Sequence, residues 1–160
     1  MKRISSLAAA LVFLCGCTPN LTEFRSAEGR FSILMPPDPE HKSLDLAGLR
    51  VKMYGKDAGS SGAFAVGFAD CGNRPLDIGG CAGGVARTHG GTVLFNRPVT
   101  HNGLQGREFE VSITQPRSGY CSGRVFIYEK RLYLMLAVGT NYRLSNDGVQ
   151  KFLESFKIDR

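Results

Sequence analysis

The chain is predicted to fold as an α+β domain built on a mostly antiparallel sheet, with helices packed on it. Three observations lead there. Short alternating apolar segments recur along most of its 160 residues, separated by Gly- and Pro-rich turns. Two of these segments, 121–128 and 132–138, flank Glu129-Lys130-Arg131 closely enough to form a hairpin, which makes neighbouring strands antiparallel. Near the end, Val149, Phe152, Leu153 and Phe156 recur at helical spacing, so a helix closes the chain over the sheet. With 42% hydrophobic and 21% charged residues the composition is globular, which disfavours disorder, collagen-like repeats and coiled coil.

The elements follow in order. Asn20 to Gly29 reads as a polar tether ending in a turn. Arg30 to Met35 is a strand, stopped by Pro36-Pro37-Asp38-Pro39 because proline cannot donate to a ladder. Leu49 to Tyr54 alternates apolar with basic residues, the pattern of a half-exposed strand. Gly55 to Gly62 is a turn or loop, and the next strand puts Phe64, Val66 and Phe68 on one face. Residues 72–91 are Gly-rich, and each interior Gly costs about 1 kcal/mol relative to Ala, so only a weak helix from Asp77 to His89 is expected. Val93 to Phe95 is a short strand that ends near Pro98. Gly106 to Ile113 alternates with Phe109, Val111 and Ile113 inward. Ser145 or Asp147 caps the closing helix, and Phe156-Lys157-Ile158 ends the domain.

The first seventeen residues carry an address. Met1-Lys2-Arg3 and the apolar run Ile4 to Leu14 make an export signal, too short for the roughly 20 residues that span a bilayer. Leu14-Cys15-Gly16-Cys17 resembles a bacterial lipobox. The resemblance implies cleavage before Cys17, acylation of its thiol, and residence in the bacterial cell envelope. Thr18, rather than Asp, then favours the outer membrane over the inner. Each buried acyl CH₂ contributes about 0.8 kcal/mol, and two or more chains anchor stably. The expected organisation is a signal peptide over 1–16, a lipidated N-terminus and tether over 17–29, and one α+β domain over 30–160. Cleavage removes Lys2 and Arg3 and no acid, so the formal charge falls by two from +6 to +4. The remaining basic residues are scattered, and nucleic acid is not an expected partner.

Cysteine usage fits an oxidising compartment. Besides Cys17, the processed chain keeps Cys71, Cys81 and Cys121. A structural disulfide between Cys71 and Cys81, across a turn-rich loop, contributes about 2.8 kcal/mol by chain entropy. Cys121, placed in a strand, is the competitor for either partner. A zinc site recruiting these thiols with His89 or His101 lacks any CxxC or HxxxH spacing, so no metal or other cofactor is expected.

Catalytic signatures are sparse. There is no G-x-S-x-G elbow, and Gly79-Gly80 with Gly83-Gly84 does not make a phosphate loop. His41, His89 and His101 all fall in loops or beside turns, away from a matched nucleophile. Glu108 and Glu110 lie two apart and share a strand face, which pairs two carboxylates suited to acid–base work. Alternation with Phe109 and Val111 favours a solvated polar face instead. Arg107 is expected to pair with Glu108. Tyr120, Tyr128, Tyr133 and Tyr142 either line a shallow groove or pack at the edge of the core.

Several stretches resemble small exported domains of the PsbP/Mog1-like fold. Phe24 to Pro36 (F-R-S-A-E-G-R-F-S-I-L-M-P) is similar to the opening of that family, and Gly103-Leu104-Gln105-Gly106-Arg107-Glu108 to its central G-x-x-G-R-E strand. Arg131-Leu132-Tyr133 and the run from Phe152 to Ile158 resemble its closing hairpin and helix. The resemblance implies an antiparallel sheet sandwiched by helices, and binding of a partner protein rather than catalysis. Residues 72–91 depart from it, with Gly and two Cys where a longer helix is usual. The expected function is therefore a membrane-anchored envelope lipoprotein that binds or scaffolds another envelope protein. The alternatives are an envelope hydrolase using Glu108, Glu110 or a loop His, and a small-molecule or lipid carrier with an apolar cavity between sheet and helix.

Overall fold

Successive side chains on a strand point to opposite faces, so a strand that is apolar at every position must be covered on both. Residues 63–69 and 132–138 are such strands, and the fold supplies two covers. The computed structural model describes residues 19–46, 48–59 and 62–159. Among the described residues, ten strands and two short α-helices are formed: β1 (Thr22–Ser26), β2 (Phe31–Met35), β3 (Glu40–Leu46), β4 (Leu49–Asp57), β5 (Gly62–Asp70), α1 (Cys81–Thr88), β6 (Thr92–His101), β7 (Leu104–Ile113), β8 (Gly119–Tyr128), β9 (Arg131–Gly139), α2 (Asp147–Glu154) and β10 (Lys157–Ile158). Seven of the strands make one sheet in the order β3-β4-β5-β9-β8-β7-β6, and every neighbouring pair is antiparallel. A smaller sheet, β1-β2-β10, stands apart.

The small sheet and α2 cover one face. Phe31, Ile33 and Met35 from β2 and Val149, Phe152 and Leu153 from α2 pack with Phe64, Val66, Phe126 and Met135 of the large sheet. Aromatic rings tile this layer: Phe64 and Phe152 stand 5.0 Å apart in an edge contact, and Phe31 meets Tyr133 at 84°. The opposite face carries Val51, Phe109, Val111, Val125 and Leu134, closed by Ala82 and Ala86 of α1 and by Leu76 and Ile78 ahead of it. The antiparallel sheet is thus as expected. Its helical cover is slighter, because each helix has eight residues and a second sheet does much of the work on the α2 side.

Three local expectations are corrected, and one strand is added. Asn20 to Gly29 is not a free tether: β1 pairs with β2 from Thr22↔Met35 to Ser26↔Phe31. Residues 40–46 form a strand whose described side chains are exposed on both faces, so no alternation announces it. β6 runs through Pro98 to His101, which a missing donor permits because β6 is the outer strand of the sheet. The cap of α2 is Asn146, whose side chain accepts from the amides of Gly148 and Val149, rather than Ser145 or Asp147.

Candidate functional site

Glu108 and Glu110 share a face of β7 as their spacing requires, but that face is the one under α2. They are 4% and 2% exposed, so the solvated polar face is corrected to a buried one. Antiparallel register places Arg97 of β6 and Arg124 of β8 directly opposite Glu108. One carboxylate oxygen of Glu108 accepts from Arg124 Nε at 2.9 Å, and the other accepts from Arg97 Nη2 at 2.6 Å. Arg124 Nη2 also reaches Glu154 at the end of α2, at 2.6 Å. Glu110 is engaged just as fully: Arg143 Nε lies 3.0 Å from one oxygen, and the Leu144 amide donates to the other at 2.8 Å. A buried carboxylate is tolerated when paired and hydrogen-bonded, and here all four oxygens are occupied.

This network ties α2 and the loop before it to the sheet. Ser122 Oγ donates to the Tyr142 carbonyl at 2.8 Å. His101 is buried at the far end of α2, where its Nε2 donates to the Phe156 carbonyl at 2.9 Å and its Nδ1 lies 3.5 Å from Glu154. The hydrogen bond from Arg124 holds the Glu154 carboxyl below its ordinary range. Chemically, the cluster fixes the position of a helix rather than presenting a titrating group to a cleft. Arg107, expected beside Glu108, points to the opposite face and donates from Nε to Asn96 Oδ1 at 3.0 Å. Arg97, Arg124, Arg143 and Glu154 were not singled out in the sequence. The signal available was an arginine on the face of β8 shared with Ser122 and Phe126.

The remaining histidines do not join this cluster. His41 is exposed on β3, its ring tilted at 43° to that of Tyr54 with centroids 5.2 Å apart, and His89 follows α1 with Nδ1 3.2 Å from the Gln115 carbonyl. Tyr133 and Tyr142 are core residues, at 0% and 3% exposure, so no groove of four tyrosines forms. The space between sheet and α2 is filled by side chains: Phe152, Leu153 and Phe156 are fully buried there.

The predicted Cys71–Cys81 disulfide is not formed, and Cys71, Cys81 and Cys121 are free thiols. Cys71 Sγ donates to the Ala69 carbonyl at 3.6 Å, and Cys81 opens α1, which is seated by Ala82 and Ala86 rather than by a bridge. Register also removes Cys121 as a partner for Cys71. The Cys71 amide donates to Lys130 at the start of β9, whereas Cys121 stands opposite Val138 at its end. Eight strand positions separate them, roughly 26 Å, far beyond disulfide reach. Burial pushes the Cys121 thiol up to about 12. Cys17 lies outside the described residues. Among the described residues no three His, Cys, Asp or Glu side chains come together as a metal-binding group, and no helix is long and apolar enough to cross a membrane.

A cleft of about 340 Å³ opens at one end of the large sheet, where the β4–β5, β7–β8 and β9–α2 connections converge. Asp57, Ile113, Arg117, Ser118, Gly139 and Thr140 line it. Pro19 lies beside that end. Its ring rests on Gly148 in the first turn of α2, so closely that a Cβ on Gly148 would stand 3.1 Å from Pro19 Cδ.

No protein-family model matches the chain, and no curated protein matches it. Among solved structures, the solution structure of cyanobacterial PsbP (CyanoP) from Synechocystis sp. PCC 6803 aligns with a TM-score of 0.64 at 11% identity, covering 88% of this chain and 93% of that one. PA94, a Pseudomonas aeruginosa protein of unknown function, aligns at 12% identity over 76% of this chain and 83% of its own, with a TM-score of 0.37 that carries no argument. The chain has a PsbP-like fold.

Proposed function

We propose that this protein is an envelope lipoprotein, acylated on Cys17, whose domain binds or scaffolds another envelope protein and does no chemistry of its own. The anchor is read from Leu14-Cys15-Gly16-Cys17 behind a basic and apolar leader. The observation that carries the non-catalytic part is the saturation of Glu108 and Glu110. These carboxylates are the pair best spaced for acid–base work, and every oxygen of both already accepts from arginine or a backbone amide. A general base needs a lone pair within reach of its substrate. An acylated N-terminus on a small sheet domain is suited to presenting a surface, and the Thr18 position favours the outer membrane, facing the periplasm.

Fractionation tests the reading. In cells carrying the parent chain, the protein should pellet with membranes and resist a high-salt wash; Cys17→Ser should move to the soluble fraction. In-cell crosslinking should trap a discrete envelope protein with the parent and lose it with Cys17→Ser. Parent chain found soluble would overturn the proposal.

A further inference from the structure

The anchor site and the folded domain are separated by almost nothing. Thr22 already pairs with β2, Leu21 packs against the core beneath α2, and Pro19 is seated on Gly148. Only Thr18 stands between Pro19 and Cys17. Two residue steps reach at most about 7 Å. A tether running from 17 to 29 would instead reach roughly 40 Å and leave the domain free to tumble. The polar layer on each side of a bilayer is only about 5–8 Å deep. An acyl chain on Cys17 therefore draws Pro19 to the edge of the headgroups, and with it the end of the domain that Pro19 touches.

We propose that this domain lies end-on against the phospholipid headgroups of its own membrane, with the Pro19–Gly148 seat and the cleft around Arg117 facing the bilayer. The proposal rests on the lipid-anchor reading above. The register defines which residues share that end. Gly139 pairs with Gly62 and with Tyr120, and Gly119 pairs with Ile113, so Arg117, Ser118 and Thr140 share one end of the sheet; the chain leaves β9 at that end and runs through Arg143 and Leu144, both bonded to Glu110, into α2. Arg117 is exposed there, and its planar guanidinium matches a lipid phosphate. The opposite end, with the β8–β9 turn at Glu129-Lys130, points away from the membrane. That far end is the surface left for a protein partner.

Depth-dependent quenching tests this in the lipidated, full-length protein. In a Cys81→Ser background, a fluorophore would be placed at Arg117→Cys or at Ile127→Cys. Ile127 lies on the same strand region, seven positions beyond Tyr120 and roughly 23 Å along the sheet. The protein would be reconstituted in phosphatidylethanolamine and phosphatidylglycerol vesicles carrying a headgroup-attached quencher. The label at 117 should be quenched at least about threefold more strongly than the label at 127. A Gly/Ser spacer of about twelve residues inserted between Thr18 and Pro19, with a mean span of roughly 19 Å, should erase the difference. Intact mass on the same sample separates the two readings. An acylated protein with equal quenching at both labels, or stronger quenching at 127, would overturn the end-on orientation and leave the anchor standing. A protein without acyl chains would overturn both.

Discussion

Glu108 faces Arg124 across β7 and β8, with Oε1 2.8 Å from Nη2 and both side chains about 5% exposed. Because Arg124 continues to Glu154, this pair is the joint between the sheet and the end of α2. Removing one member of a buried pair strands the other, which costs about 3–5 kcal/mol. Arg124 keeps Glu154 as a partner, so Glu108→Leu should lower the unfolding free energy by the lower end of that range, about 3 kcal/mol, and Glu108→Gln by less. The double variant Glu108→Leu with Arg124→Leu should recover much of the loss. Urea denaturation of the parent, Glu108→Leu, Arg124→Leu and the double variant reads this directly, and additive losses would show that the two side chains are not coupled.

Acid should loosen the same joint at its outer member. Glu154 has a lower pKa in the folded chain than its ordinary 4.5, first because of the hydrogen bond from Arg124. Its contribution is fully present above that value and is lost as pH falls through the folded pKa. Glu154 is half exposed, so the effect is small, under about 1 kcal/mol. Glu154→Gln should lower the Tm slightly at pH 7, and the gap to the parent should narrow as pH falls below 4.5 and vanish once it is under the folded pKa. A gap that persists unchanged at low pH would contradict this assignment.

Two buried tyrosines should respond in opposite directions. Tyr133 donates its hydroxyl to the Gly29 carbonyl at 3.0 Å, whereas the Tyr142 hydroxyl is buried without a hydrogen-bond partner among the described residues. Tyr133→Phe should cost about 1 kcal/mol, and Tyr142→Phe should be neutral or stabilising by up to about 1 kcal/mol. Thermal denaturation of the two variants side by side makes the comparison.

The thiols should differ in reactivity. Cys81 is the least buried of the three, while Cys121 is buried with its pKa pushed up to about 12, so little thiolate forms there. Alkylation of the native protein at pH 8 should modify Cys81 first and Cys121 only on unfolding. Peptide mapping of unreduced protein should contain no Cys71–Cys121 bridge.

Much of the large sheet was legible because its strands are regular. Gly106 to Ile113 and the hairpin at Glu129-Lys130-Arg131 showed their alternation and turn plainly, and α1 and α2 appeared near their expected places. What escaped notice shares a physical cause: the faces of these strands are decided by partners remote in sequence. Alternation in β7 separates Glu108 and Glu110 from Phe109 and Val111, yet it cannot tell that a helix some forty residues later covers the carboxylates. The described side chains of β3 are exposed on both faces, so periodicity is silent there. β1 is polar because only Phe24 and Ser26 turn inward, which made it look like a tether. A turn-rich segment between two cysteines of an exported chain points to a disulfide, but the segment between Cys71 and Cys81 instead runs from the end of β5 to α1, which packs on β6 and β7.

The intact mass of the protein as cells make it tests the lipid anchor most directly. Detergent-extracted chain, alkylated without prior reduction, should have the mass of residues 17–160 plus acyl chains on Cys17, with Cys71, Cys81 and Cys121 recovered as free thiols after unfolding. A mass without acyl groups, or an N-terminus elsewhere than Cys17, would contradict the lipid anchor and the membrane-facing orientation together.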